Sequence, residues 1–294
     1  MKKVLFTAFL AVMYLTGCTQ KEMTDFPRGT ATPEMTAAQL AAISRAMKGF
    51  NDSLSVHSLN IAKEIFETQT AGNDANPRLL SNRLHAAVEL FLTTGEKKYT
   101  DYVLANQQAA LQNINQTAWF ISRGVERWRQ MKDKKVQRFL QALEKAIIAY
   151  QENINKSSAE TPYGVPYRPA IWGAGWDIQS FAFRHYFVNK AFPALTNKEV
   201  IWNALNFVLG CHPGSNQASF ASGVGSQSAT TAYGLNRADW SYIPGGVVSG
   251  TALIRPDFPE LLEFPFLWQQ TEYCLGGASS HYMFIALAAQ QQWK

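Results

Sequence analysis

Apolar residues recur at intervals of three and four through the first two-thirds of the chain beyond residue 36. Leu40, Ile43, Met47 and Phe50 form one such series, followed by a less regular one of Leu59, Ile61, Ile65 and Phe66. The spacing keeps the first series on one helical face, and the two series predict amphipathic helices over 37–50 and 54–68. Residues 78–94 continue the pattern with Leu79, Leu80, Leu84, Ala87, Val88 and Phe91, then meet Gly95, a residue suited to end a helix. A helix over 98–114 follows, so Gly95 sits in the turn of a helical hairpin. Further helices are predicted over 118–131, 135–154, 177–189 and 197–209, with Thr196 or Asn197 as the N-cap of the last. Two more, over 266–275 and 280–292, flank Gly276 and Gly277. About ten helices with almost no strand imply an all-α fold built by packing helical hairpins.

Two segments interrupt the helical rhythm. Residues 157–176 contain Pro162, Gly164, Pro166, Pro169, Gly173 and Gly175, and residues 211–265 are rich in Gly, Ser and Pro. Long structureless segments in a compact domain are uncommon and usually functional. Aromatic-bearing loops on a helical scaffold place a ligand site at the end where they gather.

The N-terminus has its own pattern. Lys2 and Lys3 precede an apolar run from Val4 to Leu15, which is too short for a membrane-spanning helix and reads as a secretion signal. It ends in Leu15-Thr16-Gly17-Cys18, which resembles the lipobox of bacterial lipoproteins. That resemblance implies a signal peptide over 1–17, acylation at Cys18 and a tether over 18–35, and the rest, 36–294, which no Gly/Ser or Pro-rich linker divides, reads as one domain. Lipid chains, at about 0.8 kcal/mol per buried methylene, would hold the mature protein on the outer membrane, at its periplasmic face or the cell surface.

Loss of Lys2 and Lys3 takes the formal charge from +5 to +3, and the remaining cations read as scattered, which does not favour a nucleic acid partner. Cys18, Cys211 and Cys274 are the only cysteines, none at zinc-site spacing, and whether Cys211 and Cys274 pair is open. No phosphate loop, calcium loop or metal-spaced His pair occurs, so no cofactor is expected.

The candidate chemistry centres on residues 203–226. Asn203-Ala204-Leu205-Asn206-Phe207-Val208-Leu209-Gly210-Cys211-His212-Pro213-Gly214 is followed by Ser219-Phe220-Ala221-Ser222-Gly223-Val224-Gly225-Ser226. This resembles family 9 glycoside hydrolases, in which a helix ending in Leu-Gly runs into an Asn-Pro-type turn and a Ser-Phe-x-Thr-Gly-x-Gly loop. Trp268-Gln269-Gln270-Thr271-Glu272 resembles the family's second signature, with an aromatic residue four positions before the catalytic glutamate.

The resemblance implies an (α/α)6-type helical-hairpin barrel, incomplete at its N-terminal side, acting on glycosidic bonds. Glu272 would be the general acid, a carboxyl kept protonated by apolar neighbours such as Trp268, Tyr273 and Leu275. On residue type alone, a Glu near a helix start more often serves the helix terminus or caps it.

Trp172-Gly173-Ala174-Gly175-Trp176 resembles the family's Trp-Gly segment, where indoles stack on sugar faces; two core tryptophans at a helix entry are the plainer reading. Arg237, Asp239, Trp240 and Tyr242 precede the Pro244-Gly245-Gly246 turn, and Arg237 matches the family's hydroxyl-binding arginine. The residue two before it is Leu235, not the family's His, which favours a divergent, exo-acting branch. His212 has two readings, a sugar hydrogen bond or a structural turn.

An inverting mechanism needs a second carboxylate roughly 6.5–9.5 Å from the first to activate water. The family takes it from an Asp-x-x-Asp segment, whereas no two aspartates here are three apart; Asp177 and Asp239 are the substitutes. Two functions follow: a glycosidase acting on β-glucan or amino-sugar chains, or a catalytically impaired glycan-binding lipoprotein. Either would bind carbohydrate, and an incomplete barrel would leave an apolar flank for self-association or a partner.

Overall fold

The computed structural model describes residues 32–68, 76–167, 174–213, 218–228, 244–247 and 277–293. The chain divides into two compact units, Met1–Ala110 and Leu111–Lys294. Ten helices lie among the described residues: α1 Pro33–Met47, α2 Asp52–Thr68, α3 Pro77–Thr94, α4 Lys97–Ala105, α5 Gln107–Gln112, α6 Ile114–Gln130, α7 Lys134–Ala159, α8 Ala174–Ala191, α9 Glu199–Val208 and α10 Gly277–Trp293. Two-residue strands β1 (Ala218–Ser219) and β2 (Gln227–Ser228) pair in parallel, Ala218 with Gln227 and Ser219 with Ser228.

In the first unit α1 packs on both α2 and α3. The face it buries is not the one the periodicity of large residues predicts. Ala37, Ala38, Ala41 and Ser44 are buried, whereas Leu40, Ile43 and Met47 are half-buried and Phe50 is 89% exposed. Small side chains let helix backbones approach closely, and Ser44 and Ser55 confirm that proximity: the Ser55 hydroxyl donates to the Ser44 carbonyl at 2.8 Å. Phe50 lies beyond the last turn of α1, so its place in the series carries no helical face.

Arg45 ties α1 to α3 through the buried Glu89 carboxylate, and its guanidinium also donates to the Glu89 carbonyl at 2.8 Å. Breaking such a pair strands a buried charge, which is why it fixes the contact between the two helices.

The α3–α4 turn follows the sequence expectation. Gly95 has φ +74, and its N–H donates to the Phe91 carbonyl at 2.8 Å. A Cβ at Gly95 would meet nothing within 4 Å, so Gly95→Ala carries only the left-handed backbone penalty of about 1–2 kcal/mol. Urea unfolding should show that loss with an unchanged m value.

The predicted helix over 98–114 is broken at Asn106, which separates α4 from α5. The Asn106 side-chain amide donates to the Tyr102 carbonyl at 3.0 Å and its N–H to the Tyr102 and Val103 carbonyls, both at 3.2 Å. This competition between side chain and ladder is what makes asparagine a poor interior helix residue.

In the second unit α6 packs on α7 and α8, and α8 packs on α9 and α10. Trp128, 1% exposed, meets Phe139 edge-on at 5.6 Å and joins α6 to α7. An aromatic seam links α8 to α10: Phe183 and Phe284 lie 4.9 Å apart, Tyr186 and Phe284 5.0 Å. Asn197 serves α9 as anticipated but from one residue further out. Lys198 is the N-cap, and the Asn197 side-chain oxygen accepts the Glu199 N–H at 2.9 Å. The predicted helix over 266–275 lies outside the described residues.

Candidate active site

The last carbonyls of any helix lack intrahelical partners. At α9 they are satisfied in two ways, and the result is a built site. Gly210 N–H donates to the Phe207 carbonyl at 3.1 Å and Cys211 N–H to the Asn206 carbonyl at 2.8 Å, a Schellman closure that turns the chain toward His212. The carbonyls of Val208 and Leu209 accept from the loop that follows, at 2.8 Å from Phe220 N–H and 2.7 Å from Ser226 N–H. The loop 218–228 is thereby strapped across the helix end, with Ser219, Phe220, Ala221 and Ser222 buried and Val224 exposed.

That strap holds the next segment. Ser222 N–H donates to the Gly246 carbonyl at 2.9 Å, and Gly245 N–H to the Ser222 carbonyl at 2.7 Å. Ala221 and Val247 form an antiparallel bridge. The interval 229–243, which carries Arg237, Asp239, Trp240 and Tyr242, therefore leaves from and returns to one anchored place. Those four residues themselves lie outside the described set, as do Cys18, Trp172, Trp268, Glu272 and Cys274.

Four rings cluster at the helix end. His212 lies edge-on to Tyr163 at 4.6 Å and stacks on Phe207 at 5.6 Å, and Phe207 stacks on Phe220 at 5.1 Å. Tyr163 belongs to the first interrupted segment, which is pinned to α9 where the Asn203 amide donates to the Gly164 carbonyl at 3.1 Å. The cluster joins two regions that the sequence singles out separately: the Pro- and Gly-rich segment, and the Leu-Gly turn with its Ser-Phe loop.

α8 begins at Ala174, three residues before its predicted start. Trp176, expected at the end of a loop, stands in its first turn and is half-buried. Asp177 follows, exposed at its surface but closely surrounded. Desolvation raises its carboxyl above the usual aspartate range, and the Arg184 guanidinium offsets part of that rise. Two residues escaped notice in the sequence. Arg184, two helical turns beyond Asp177, was detectable from that spacing alone. His281 of α10 stacks on Phe183 at 4.7 Å; burial first, and the Arg184 charge second, favour its neutral form. Cys211 is an exposed free thiol. Among the described residues no group of three His, Cys, Asp or Glu side chains could hold a metal ion, and no helix is long and apolar enough to cross a membrane.

Helices packed on one another with two two-residue strands among the described residues define an all-α array, and the chain has the fold of a helical-hairpin barrel. The Glycosyl hydrolase family 9 profile matches residues 18–244, and the chain belongs to this family. The matched span includes Trp172, Trp176, His212, Arg237, Asp239, Trp240 and Tyr242 and ends before Trp268 and Glu272.

Solved structures share the fold at low identity. AaCel9A in complex with cellobiose-like isofagomine superposes with a TM-score of 0.67 at 13% identity, over 88% of this chain and 55% of that one. The catalytic domain of Clostridium thermocellum CelT gives 0.62 at 17%, over 87% and 59%. The cellulase Cel9M of C. cellulolyticum gives 0.61 at 16%, over 89% and 64%. The chain thus spans a little over half the length of these structures. No curated protein sequence matches it.

Proposed function

We propose that the chain hydrolyses O-glycosidic bonds of a β-glucan or amino-sugar polysaccharide by an inverting acid/base mechanism. Glu272 donates a proton to the departing oxygen, and Asp177 or Asp239 activates water from the opposite face. Trp172, Trp176, Trp240, Tyr242 and Trp268 offer ring faces to the sugars, while His212, Arg237 and Asp239 engage hydroxyls. The observation that carries this reading is the strap of residues 218–228 over the end of α9, together with the rings it gathers. It holds Tyr163, the Leu209-Gly210 turn and the Ser219–Gly225 loop together and anchors the residues on either side of the interval bearing Arg237 and Asp239. The cellobiose-like isofagomine named with AaCel9A fits a β-glucan as first substrate. Acylation at Cys18 would keep the protein at the outer membrane with its substrate outside the cell.

A second reading, a glycan-binding lipoprotein without turnover, is favoured by one observation: no two aspartates stand three apart to supply the family's usual base. The purified chain should decide between them on barley β-glucan and amino-sugar oligosaccharides. New reducing ends that appear first as the inverted anomer support hydrolysis. Binding to the same glycans with release no faster than in buffer makes the protein a binder only.

A further inference from the structure

The reading of the cations as scattered does not hold at the turn between α6 and α7, where six of them fall within twelve consecutive residues. Between residues 127 and 138 stand Arg127, Arg129, Lys132, Lys134, Lys135 and Arg138 against a single carboxylate, Asp133. The ends of the two helices and their turn wall a groove of about 690 Å³ lined by Arg129, Lys132, Lys134 and Arg138, with Gln137 and Gln141 beside them. None of the described residues lining it carries a carboxylate.

Two neighbouring acids, Asp133 and Glu144, are already engaged. The Asp133 carboxylate caps α7, accepting from Lys135 N–H at 2.8 Å and Val136 N–H at 3.5 Å. Glu144 faces Arg129 at 3.9 Å. Arg129 is held in place, since it donates to the Ala191 carbonyl at 3.0 Å and lies over the Phe192 ring at 5.3 Å. Lys132, Lys134 and Arg138 are exposed and make no ion pair among the described residues. A surface with three such unpaired cations raises the local concentration of anions.

We propose that this groove docks an acidic, carboxylate-bearing polysaccharide; the idea rests on the glycan-handling reading above and adds a second subsite to it. Lys134, Arg138 and Gln141 follow one another at spacings of four and three, so two cations and an amide form a row along α7. A linear uronate chain offers such a row alternating carboxylates and hydroxyls. The Gln137 amide is preset by its hydrogen bond to the Met131 carbonyl at 2.9 Å, which leaves its oxygen for a sugar hydroxyl. A membrane surface is the poorer fit, because Met131 is the one apolar residue lining the site, whereas interfacial anchoring needs buried apolar area.

The test uses the full chain in affinity electrophoresis through gels containing polygalacturonate or neutral β-glucan. Wild type is compared with the triple variant Lys132→Gln, Lys134→Gln, Arg138→Gln, and with a charge-matched control, Lys145→Gln, Lys156→Gln, Lys190→Gln. Polygalacturonate Kd should rise about tenfold in the groove variant, as the loss of three exposed charge contacts implies, and stay unchanged in the control. β-Glucan release should be the same in all three. Equal weakening in both variants, no polygalacturonate binding by wild type, or groove-dependent binding only to phosphatidylglycerol vesicles would overturn the proposal. Polygalacturonate binding through the groove in a protein that releases nothing from β-glucan would support the subsite while rejecting the hydrolase reading.

Discussion

Glu272→Gln is expected to lower the β-glucan turnover number by about 10²–10⁴-fold, the usual worth of a general acid, while leaving glycan binding intact. The amide preserves the size and most of the hydrogen-bonding capacity of the carboxyl but has no proton to give. Its effect should therefore fall on kcat rather than on KM. The pH profile carries a further signature. A general acid works only while protonated, so wild-type activity should fall as pH rises through the pKa of Glu272, and this alkaline limb should be missing from the residual rate of the variant. An aryl glycoside with an acidic phenol as leaving group needs little protonation, and the loss on that substrate should be several-fold smaller. A variant as active as wild type on both substrates would remove Glu272 from the mechanism and with it the assignment of Trp268 as its neighbour.

The parts of the molecule that could be read from sequence are those decided by local chemistry. Gly95 ends α3 because the Phe91 carbonyl needs a partner that a left-handed residue can provide, and a glycine after an apolar series announces that need. The Leu209-Gly210 turn and the Ser219–Gly225 stretch were legible as a motif, and the structure supplies the reason they go together: the strap satisfies the last carbonyls of the helix.

Tertiary decisions were less legible. The buried face of α1 is chosen by how closely α2 and α3 approach, so Ala37, Ala38 and Ala41 outrank the larger Leu40 and Ile43. Asn106 interrupts a helix that its neighbours would continue, through a side-chain bond that periodicity does not register. The electrostatic link from Arg184 to His281 requires α8 and α10 to be packed together, a pairing no spacing within either segment discloses. The basic groove likewise needs the α6–α7 hairpin to be folded before its cations become a surface.

Gly225→Ala should be far more damaging than Gly95→Ala, although both residues have similar positive φ, +83 and +74. At Gly95 the space beyond the α-carbon is open. At Gly225 an added Cβ would overlap the Leu209 carbonyl oxygen and stand 2.6 Å from the Ser219 hydroxyl oxygen. The carbonyl cannot yield freely, because it ends α9 and accepts the Ser226 N–H one residue along the strap. Relief requires the strap to lift, which sacrifices the bonds from Phe220 and Ser226 and uncovers the stacked face of Phe207. The backbone penalty and these losses together amount to at least about 3 kcal/mol, or a fall in Tm of roughly 6–12 °C for a unit of this size. Glycan affinity should fall with it, because the return of the chain at Gly245 and Gly246 depends on Ser222, whereas Gly95→Ala should leave affinity unchanged. Calorimetry and affinity electrophoresis on the two variants measure both effects. Equal Tm losses in the two, or undiminished glycan binding by Gly225→Ala, would mean that the strap neither stabilises the end of α9 nor shapes the site.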